Sequence, residues 1–260
     1  MKIVVCIKQV PDTVDVKIDP VTKNLDRSNI TGVINPFDKN AIEEAIKIRE
    51  KHGGEVIVIS MGPPQAMESL REALAMGCDN AILLSCRELG GADTLATGYA
   101  LSQAIKKIGD VDIVFFGRHA VDADTGQTGP IVAEFLGMRQ ITYVAKVDIE
   151  GDYVIASRLL EDGMERVKVK LPVAMTATKE LNTPRYATPI KIMKAARKEI
   201  PVWTSEDLKC DSNRIGLKGS PTIVTEIFEP EKSSDVIMLE GSPEEMVQEL
   251  LNKLTAQKIL

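Results

Sequence analysis

Apolar residues along this chain change their spacing twice, and the changes predict its elements. Residues 2–7 form a short β-branched apolar run without alternation, the pattern of a strand buried on both faces. Residues 55–60, 80–85 and 111–116 repeat it. Between these runs the spacing turns helical. One helix carries Ala41, Ile42, Ala45, Ile46 and Ile48 after Asn35-Pro36-Phe37-Asp38, and His52-Gly53-Gly54 stops it. A second is opened by Pro64 and ended by Gly77. A third follows Asp93, a good N-cap, with Leu95, Ala96, Tyr99, Ala100, Leu101 and Ile105 as its expected buried stripe. Pro11 marks the exit loop of the first strand, and residues 16–20 and 24–27 flank a polar turn that reads as a small hairpin. Strand and helix alternate through residue 136, which predicts an α/β fold: a doubly wound, mostly parallel, Rossmann-like sheet with helices on both faces.

After Gly137 the period becomes two. Residues 141–149, 153–160, 165–170 and 173–177 read as strands that extend or flank the sheet, with turns at Glu150-Gly151-Asp152 and Asp162-Gly163. Beyond Lys179 compact periodicity fades. Residues 190–198 suggest a short basic helix, residues 200–240 alternate apolar dipeptides with Pro, Ser and Gly, and Ser242-Pro243 opens a last helix with Leu250, Leu251 and Leu254. A stretch of this kind buries little of itself and is expected to wrap a partner. The expected division is an α/β domain over 1–180 and an extended arm over 181–260.

Composition then narrows the function. With 44% hydrophobic and 27% charged residues the 260-residue chain is ordinary for a globular protein, and its net charge of −6 argues against general nucleic-acid binding. Aromatic residues are only 4%, too few for a base-stacking surface. Cys6, Cys78, Cys86 and Cys210 make no Cys-x-x-Cys pair and fit free thiols in a reducing cytoplasm. His52 and His119 are the only histidines, poor support for zinc or a histidine-based triad. The apolar runs are too short for a membrane span or a signal-peptide core.

The candidate chemistry lies in residues 117–130, Gly117-Arg118-His119-Ala120-Val121-Asp122-Ala123-Asp124-Thr125-Gly126-Gln127-Thr128-Gly129-Pro130. A strand, a polar glycine-containing loop and a helix start make the usual nucleotide-binding place of an α/β sheet. Amides in such a loop lack ladder partners, and a phosphate can accept from them. Gly126 and Gly129 permit close approach, and Thr125, Gln127 and Thr128 add donors. Asp122 and Asp124 cannot favour a phosphate but can cap the helix or orient a ribose or an amide. A plain polar strand–helix turn has the same composition. The dinucleotide fingerprint Gly-x-Gly-x-x-Gly, the P-loop and a Ser-Gly-Gly-x-Asp loop are all missing, and no residue stands out as a nucleophile or general base. The expectation is a protein that holds a cofactor and leaves the chemistry to it.

Five stretches, in this order, resemble the beta subunit of electron transfer flavoprotein: Val5-Cys6-Ile7-Lys8-Gln9-Val10-Pro11-Asp12, Asn35-Pro36-Phe37-Asp38, Ala73-Leu74-Ala75-Met76-Gly77, the 117–130 loop, and Asn182-Thr183-Pro184-Arg185-Tyr186-Ala187-Thr188. The resemblance runs over nearly the full length. It implies a heterodimer whose alpha subunit carries one FAD in a mobile C-terminal domain. In conventional members the beta subunit holds AMP; in electron-bifurcating members the same place holds the adenosine half of a second FAD. The implied pocket comprises Cys6, Asn35, Pro36, Phe37, Asp38, Met61, His119, Ala120, Val121, Asp122, Ala123, Asp124, Thr125, Gly126, Gln127, Thr128, Gly129 and Pro130. The implied docking segment for an acyl-CoA dehydrogenase includes Pro184, Arg185, Tyr186, Ala187, Thr188, Pro189, Ile190, Met193 and Lys194.

Val10-Pro11-Asp12-Thr13 and Gly91-Ala92-Asp93-Thr94-Leu95-Ala96-Thr97 resemble the bifurcating branch, which favours FAD over AMP. In that branch NADH reduces the beta-subunit FAD, one electron goes to ferredoxin or flavodoxin, and the other passes through the alpha-subunit FAD to an acyl-CoA dehydrogenase. Gln9, Thr13, Asp93, Thr94 and Thr97 are then candidates near the flavin ring or the incoming NADH, and Phe37 is expected to reach towards the alpha-subunit flavin. A helix start at Asp93–Thr94 would offer free amides and hydroxyls; Asp93 as a simple cap is the other reading. The long arm argues against a free-standing adenine-nucleotide-binding regulatory module.

Overall fold

The structure, a computed structural model, describes residues 1–12, 32–225 and 236–260. Thr13 and the hairpin expected within 16–27 lie outside the described residues.

The centre is β1 (Lys2–Ile7). Its Ile3, Val5 and Ile7 enter one core and its Val4 and Cys6 another, as alternation along a strand requires. The chain continues through β2 (Gln9–Pro11), β3 (Gly32–Ile34), α1 (Pro36–His52), β4 (Glu55–Met61), α2 (Met67–Met76), β5 (Asn80–Leu84), α3 (Thr94–Ile108), β6 (Ile113–Gly117) and α4 (Thr128–Leu136). Then come β7 (Arg139–Glu150), β8 (Tyr153–Leu159), β9 (Met164–Lys170), β10 (Val173–Ala177), α5 (Pro189–Arg197), β11 (Val202–Trp203) and α6 (Pro243–Ala256). Nine strands form one sheet in the order β11-β5-β4-β1-β6-β10-β7-β8-β9, and β2 pairs antiparallel with β3. Pairing is parallel from β11 to β7 and antiparallel from β7 to β9.

Residues from α1 and α2 share the core of Ile3, Val5 and Phe115, and residues from α3 and α4 share that of Val4, Val114 and Phe116. The sheet is therefore wound on both faces, as the alternation of strands and helices predicts. The strand order reverses at β1, so the carboxyl ends of β1 and β6 border the switch-point crevice where ligands of such sheets bind. The late strands divide by exposure. β9 alternates, whereas all five residues of β10 are buried, because it inserts between β6 and β7.

Leu95 departs from its expected place: it is 41% exposed. The α3 and α4 helices approach closely at Gly98, which faces Ile131. That approach turns Ala96, Tyr99 and Ala100 inward and leaves Leu95 at the edge.

Residues 1–224 and 225–260 form two units. In the second, Ser242 and Glu245 make a capping box at the start of α6, and Val247, Leu250 and Leu251 stay exposed. In the first, residues 182–203 are tied to the sheet and its helices. Asn182 Nδ2 donates to Glu44 Oε2 (2.8 Å) and to Asn40 O (3.0 Å). Arg185 forks between Glu43 (Nε–Oε2 2.8 Å) and Glu50 (Nη1–Oε1 2.7 Å), about two turns apart on α1. Arg71 donates to Ala195 O on α5 (2.8 Å), and β11 pairs with β5.

Glu43 is 3% exposed, so its carboxylate depends on the guanidinium. Arg185→Ala is expected to destabilise the protein by about 1–3 kcal/mol, less than for a fully enclosed pair because Arg185 keeps some contact with water. Arg185→Lys, lacking the fork, is expected to restore only part. Thermal unfolding measures both, and an unchanged midpoint in Arg185→Ala would show that this clamp carries no stability.

Candidate functional site

The crevice is closed at its base by a four-residue turn. Asn35 is buried; its Nδ2 donates to Asp38 Oδ1 (3.0 Å) and to His119 O (2.8 Å), and its Oδ1 accepts from Val121 N (3.1 Å). Asp38 accepts from Lys8 N (2.7 Å) at the exit of β1 and from Gly117 N (3.0 Å) at the end of β6. Pro36 occupies the first turn of α1, where its missing N–H costs nothing. Both strand exits and the first residues of the loop thus close on one motif. Burial pushes the Asp38 carboxyl up to about 7, against the hydrogen bonds from Asn35 and the Lys8 and Gly117 amides that favour its charge. Burial, with Asp38 adding, also raises the Cys6 thiol well above its ordinary value, so Cys6 presents a neutral wall. The polar atoms of Asn35 and Asp38 are occupied within the protein, and these two residues shape the site.

Beyond the latch the chain makes a tight turn, with Ala120 O accepting from Ala123 N (3.2 Å) and Asp124 N (2.8 Å). Lys8 Nζ pairs with Asp122 Oδ1 at 2.7 Å. His119 Nδ1 lies 3.0 Å from Asp124 Oδ1, and its ring stands edge-on to Phe37 with centroids 4.6 Å apart. Both aspartates are held by neighbouring side chains before Thr125–Pro130 begins.

Helices α1 to α4 all start at this end of the sheet, and the starts of α3 and α4 differ. Asp93 caps α3: its Oδ1 accepts from Leu95 N (2.9 Å) and Ala96 N (3.0 Å), and its Oδ2 from Thr222 N (3.1 Å) and Oγ1 (2.8 Å). Burial works against the Asp93 charge, but the donors from Ala96, Thr222 and Leu95 outweigh it and hold the carboxyl below its usual range. At this helix start the amides of Leu95 and Ala96 are therefore taken by the cap itself, and the Asp93 amide donates to Ser220 Oγ (2.8 Å). At α4, Gln127 is the N-cap and makes no side-chain cap. The amides of Thr128 and Gly129 open that helix without intrahelical partners. Gly129 lets the first turn sit on the sheet, since a Cβ there would lie 2.8 Å from Thr176 Cγ2. Thr94 Oγ1 donates to Gln127 Oε1 (3.0 Å) and ties the two helix starts together.

The remaining sequence candidates fall around this frame. Gln9 Nε2 donates to Gln65 O (3.2 Å), Val10 is buried in the β2–β3 pair, and Met61 ends β4 half-buried. Thr97 lies on the first turn of α3, its amide donating to Asp93 O (2.9 Å). The 184–194 segment lies apart, along α1 and α2. Arg185 is clamped, Thr188 caps α5, Tyr186 is 96% exposed, and Ile190, Met193 and Lys194 are exposed beside it. Two features escaped the sequence reading. Thr222 reaches back to Asp93 across 129 residues, which local pattern cannot signal. Arg118 places its guanidinium 5.1 Å from the Tyr143 ring centroid, and the available signal was a lone cation in a loop with two aspartates.

Asp38 gives a pH test. An unfolded aspartate loses its proton near 3.9, whereas native Asp38 keeps it to about 7. Between these values the native state binds more protons, so this group's contribution to stability falls as pH rises. The wild-type advantage over Asp38→Asn, measured by urea unfolding, is expected to shrink between pH 4.5 and pH 7.5; an advantage that grows would refute it.

Comparison with known proteins fits this geometry. The electron transfer flavoprotein domain family matches residues 22–208. The electron transfer flavoprotein subunit beta of Thermoanaerobacterium thermosaccharolyticum is 54% identical over 261 residues, covering 100% of both chains. That of Megasphaera elsdenii is 45% identical over 270 residues, again 100% of both. The caffeyl-CoA reductase-Etf complex subunit CarD of Acetobacterium woodii is 45% identical over 262 residues and 100% of both. The chain belongs to the electron transfer flavoprotein family, as a relative of its beta subunits.

Proposed function

We propose that this chain is the beta subunit of a heterodimeric, electron-bifurcating electron transfer flavoprotein, and that residues 119–130 hold the phosphate end of its own FAD. The observation that carries the reading is the start of α4: a helix N-terminus with no side-chain cap, seated by Gly129 at the switch point, beside a second helix start that is closed. A phosphate group fits those donors. When bound, the flavin supplies two-electron uptake from NADH and one-electron delivery, to ferredoxin or flavodoxin on one side and through the alpha-subunit FAD to an acyl-CoA dehydrogenase on the other. The chain's own residues position and shield. Thr128 and Gly129 amides, with the side chains of Thr125 and Thr128, would donate to phosphate. Cys6 and Met61 would wall the adenosine, and Gln9, Thr94 and Thr97 would face the ring or NADH. Phe37 would look towards the alpha subunit.

The arm from residue 181 would contact the alpha subunit and the dehydrogenase, with the exposed face of Tyr186, Ile190 and Met193 as the dehydrogenase contact. A relative named for a caffeyl-CoA reductase-Etf complex supports a CoA-ester partner. Among the described residues no helix is long and apolar enough to cross a membrane, and the four cysteines are free, which suits a cytoplasmic setting.

One observation favours a second reading. The Asp93 carboxylate, assigned to the flavin ring, is taken up by its cap and by Thr222. A conventional subunit that holds AMP and scaffolds the alpha-subunit FAD would need nothing more from that segment. Heat release and quantification of cofactors from the co-purified heterodimer separates the two. Two FAD and no AMP per dimer is the expected result, and one FAD with one AMP would replace the first reading by the second.

A further inference from the structure

We propose that Arg118, held against Tyr143, is the cation that binds the phosphate of the adenine nucleotide and selects phosphorylated over unphosphorylated adenosine. The assignment rests on the nucleotide reading of residues 119–130. Three observations support it.

Alternation along β6 sends Phe115 to the α1 side and Phe116 to the α4 side. Gly117 faces Phe37 and Asp38 on the α1 side. The Arg118 amide continues the ladder by donating to Ala177 O (2.8 Å), so its side chain follows Phe116 towards α4. Gly126 crosses above the Arg118 carbonyl, which lies 3.5 Å from the position a Cβ would take.

The charges at the crevice differ in occupancy. Lys8 pairs with Asp122, and His119 lies against Asp124. Arg118 has no carboxylate within 4.0 Å among the described residues.

The guanidinium instead lies 5.1 Å from the Tyr143 ring centroid. Tyr143 has φ +58°, a conformation that a bulky residue rarely adopts. Its amide donates to Thr176 Oγ1 (2.9 Å) at the irregularity between β7 and β10. Thr176 is also the residue on which Gly129 sits. The aromatic support of Arg118 and the open first turn of α4 therefore rest on one threonine.

The planar fork of Arg118 suits a phosphate, and stacking on Tyr143 lowers the ordering cost of binding.

The test uses the heterodimer depleted of its beta-site nucleotide, with AMP and adenosine as probes. Wild type is expected to bind AMP more tightly than adenosine, with an affinity that falls as salt rises. Arg118→Gln is expected to weaken AMP about 10- to 100-fold and to leave adenosine within about twofold, with a shallower salt dependence. Arg118→Lys should recover part of the loss, and Tyr143→Leu should cost AMP about threefold. Unchanged AMP affinity in Arg118→Gln would overturn the assignment. Equal weakening of both probes would overturn it in favour of a loop-shaping role, and loss of co-purification with the alpha subunit in favour of a partner contact. If wild type binds neither probe, the nucleotide reading of the site itself falls.

Discussion

A buried carboxylate with three donors holds the working end of this protein together. Asp38 receives the amides of Lys8 and Gly117 and the side-chain amide of Asn35. Those amides terminate β1 and β6, the strands on either side of the switch point. β6 goes on pairing with β10 through the Arg118 amide, but the Lys8 and Gly117 amides donate to Asp38 and not to a neighbouring strand, and buried amides without acceptors are costly. One side chain meets both needs, and Asn35 carries the connection to His119 and Val121. The loop beyond inherits its position from this turn, with its first carbonyl and amide fixed before any ligand contact is made.

Around that frame, electrostatics distinguishes positions that look equivalent in outline. Both α3 and α4 start at the carboxyl edge of the sheet. Asp93 brings a negative charge to the first and draws Thr222 onto it. The second is left open, with Gly129 pressed onto Thr176. Asp122 and Asp124 would oppose an anion, but Lys8 and His119 hold them to one side. The nearby guanidinium of Arg118 lies against the Tyr143 ring and has no carboxylate partner within 4.0 Å among the described residues.

The 182–194 segment is organised by the opposite arrangement. Arg185 and Asn182 are anchored to the buried carboxylates of Glu43 and Glu44 on α1, the helix whose first turn contains Asp38. The residues that follow present Tyr186, Ile190 and Met193 outward. The exposed apolar groups thus stand on a backbone already fixed by ion pairs and hydrogen bonds. One helix thus carries the Asn35–Asp38 turn at its start and the Arg185 clamp along its middle turns.

Much of this could be read from residue order. Buried strands, amphipathic helices and the Asp93 and Ser242 caps are local, because their periods and hydrogen bonds lie within a few residues, and family membership followed from motifs in a given order. The polar 117–130 loop was legible for the same reason. What required the tertiary structure involved residues distant in sequence. The insertion of β10 between β6 and β7, the exposure of Leu95, the Thr222 contact that completes the environment of Asp93, and the placing of Arg118 on Tyr143 are of this kind. Composition cannot say which of two similar helix starts stays open, since that depends on whose side chain reaches it. Periodicity reports which face of an element is apolar; packing alone decides what that face meets.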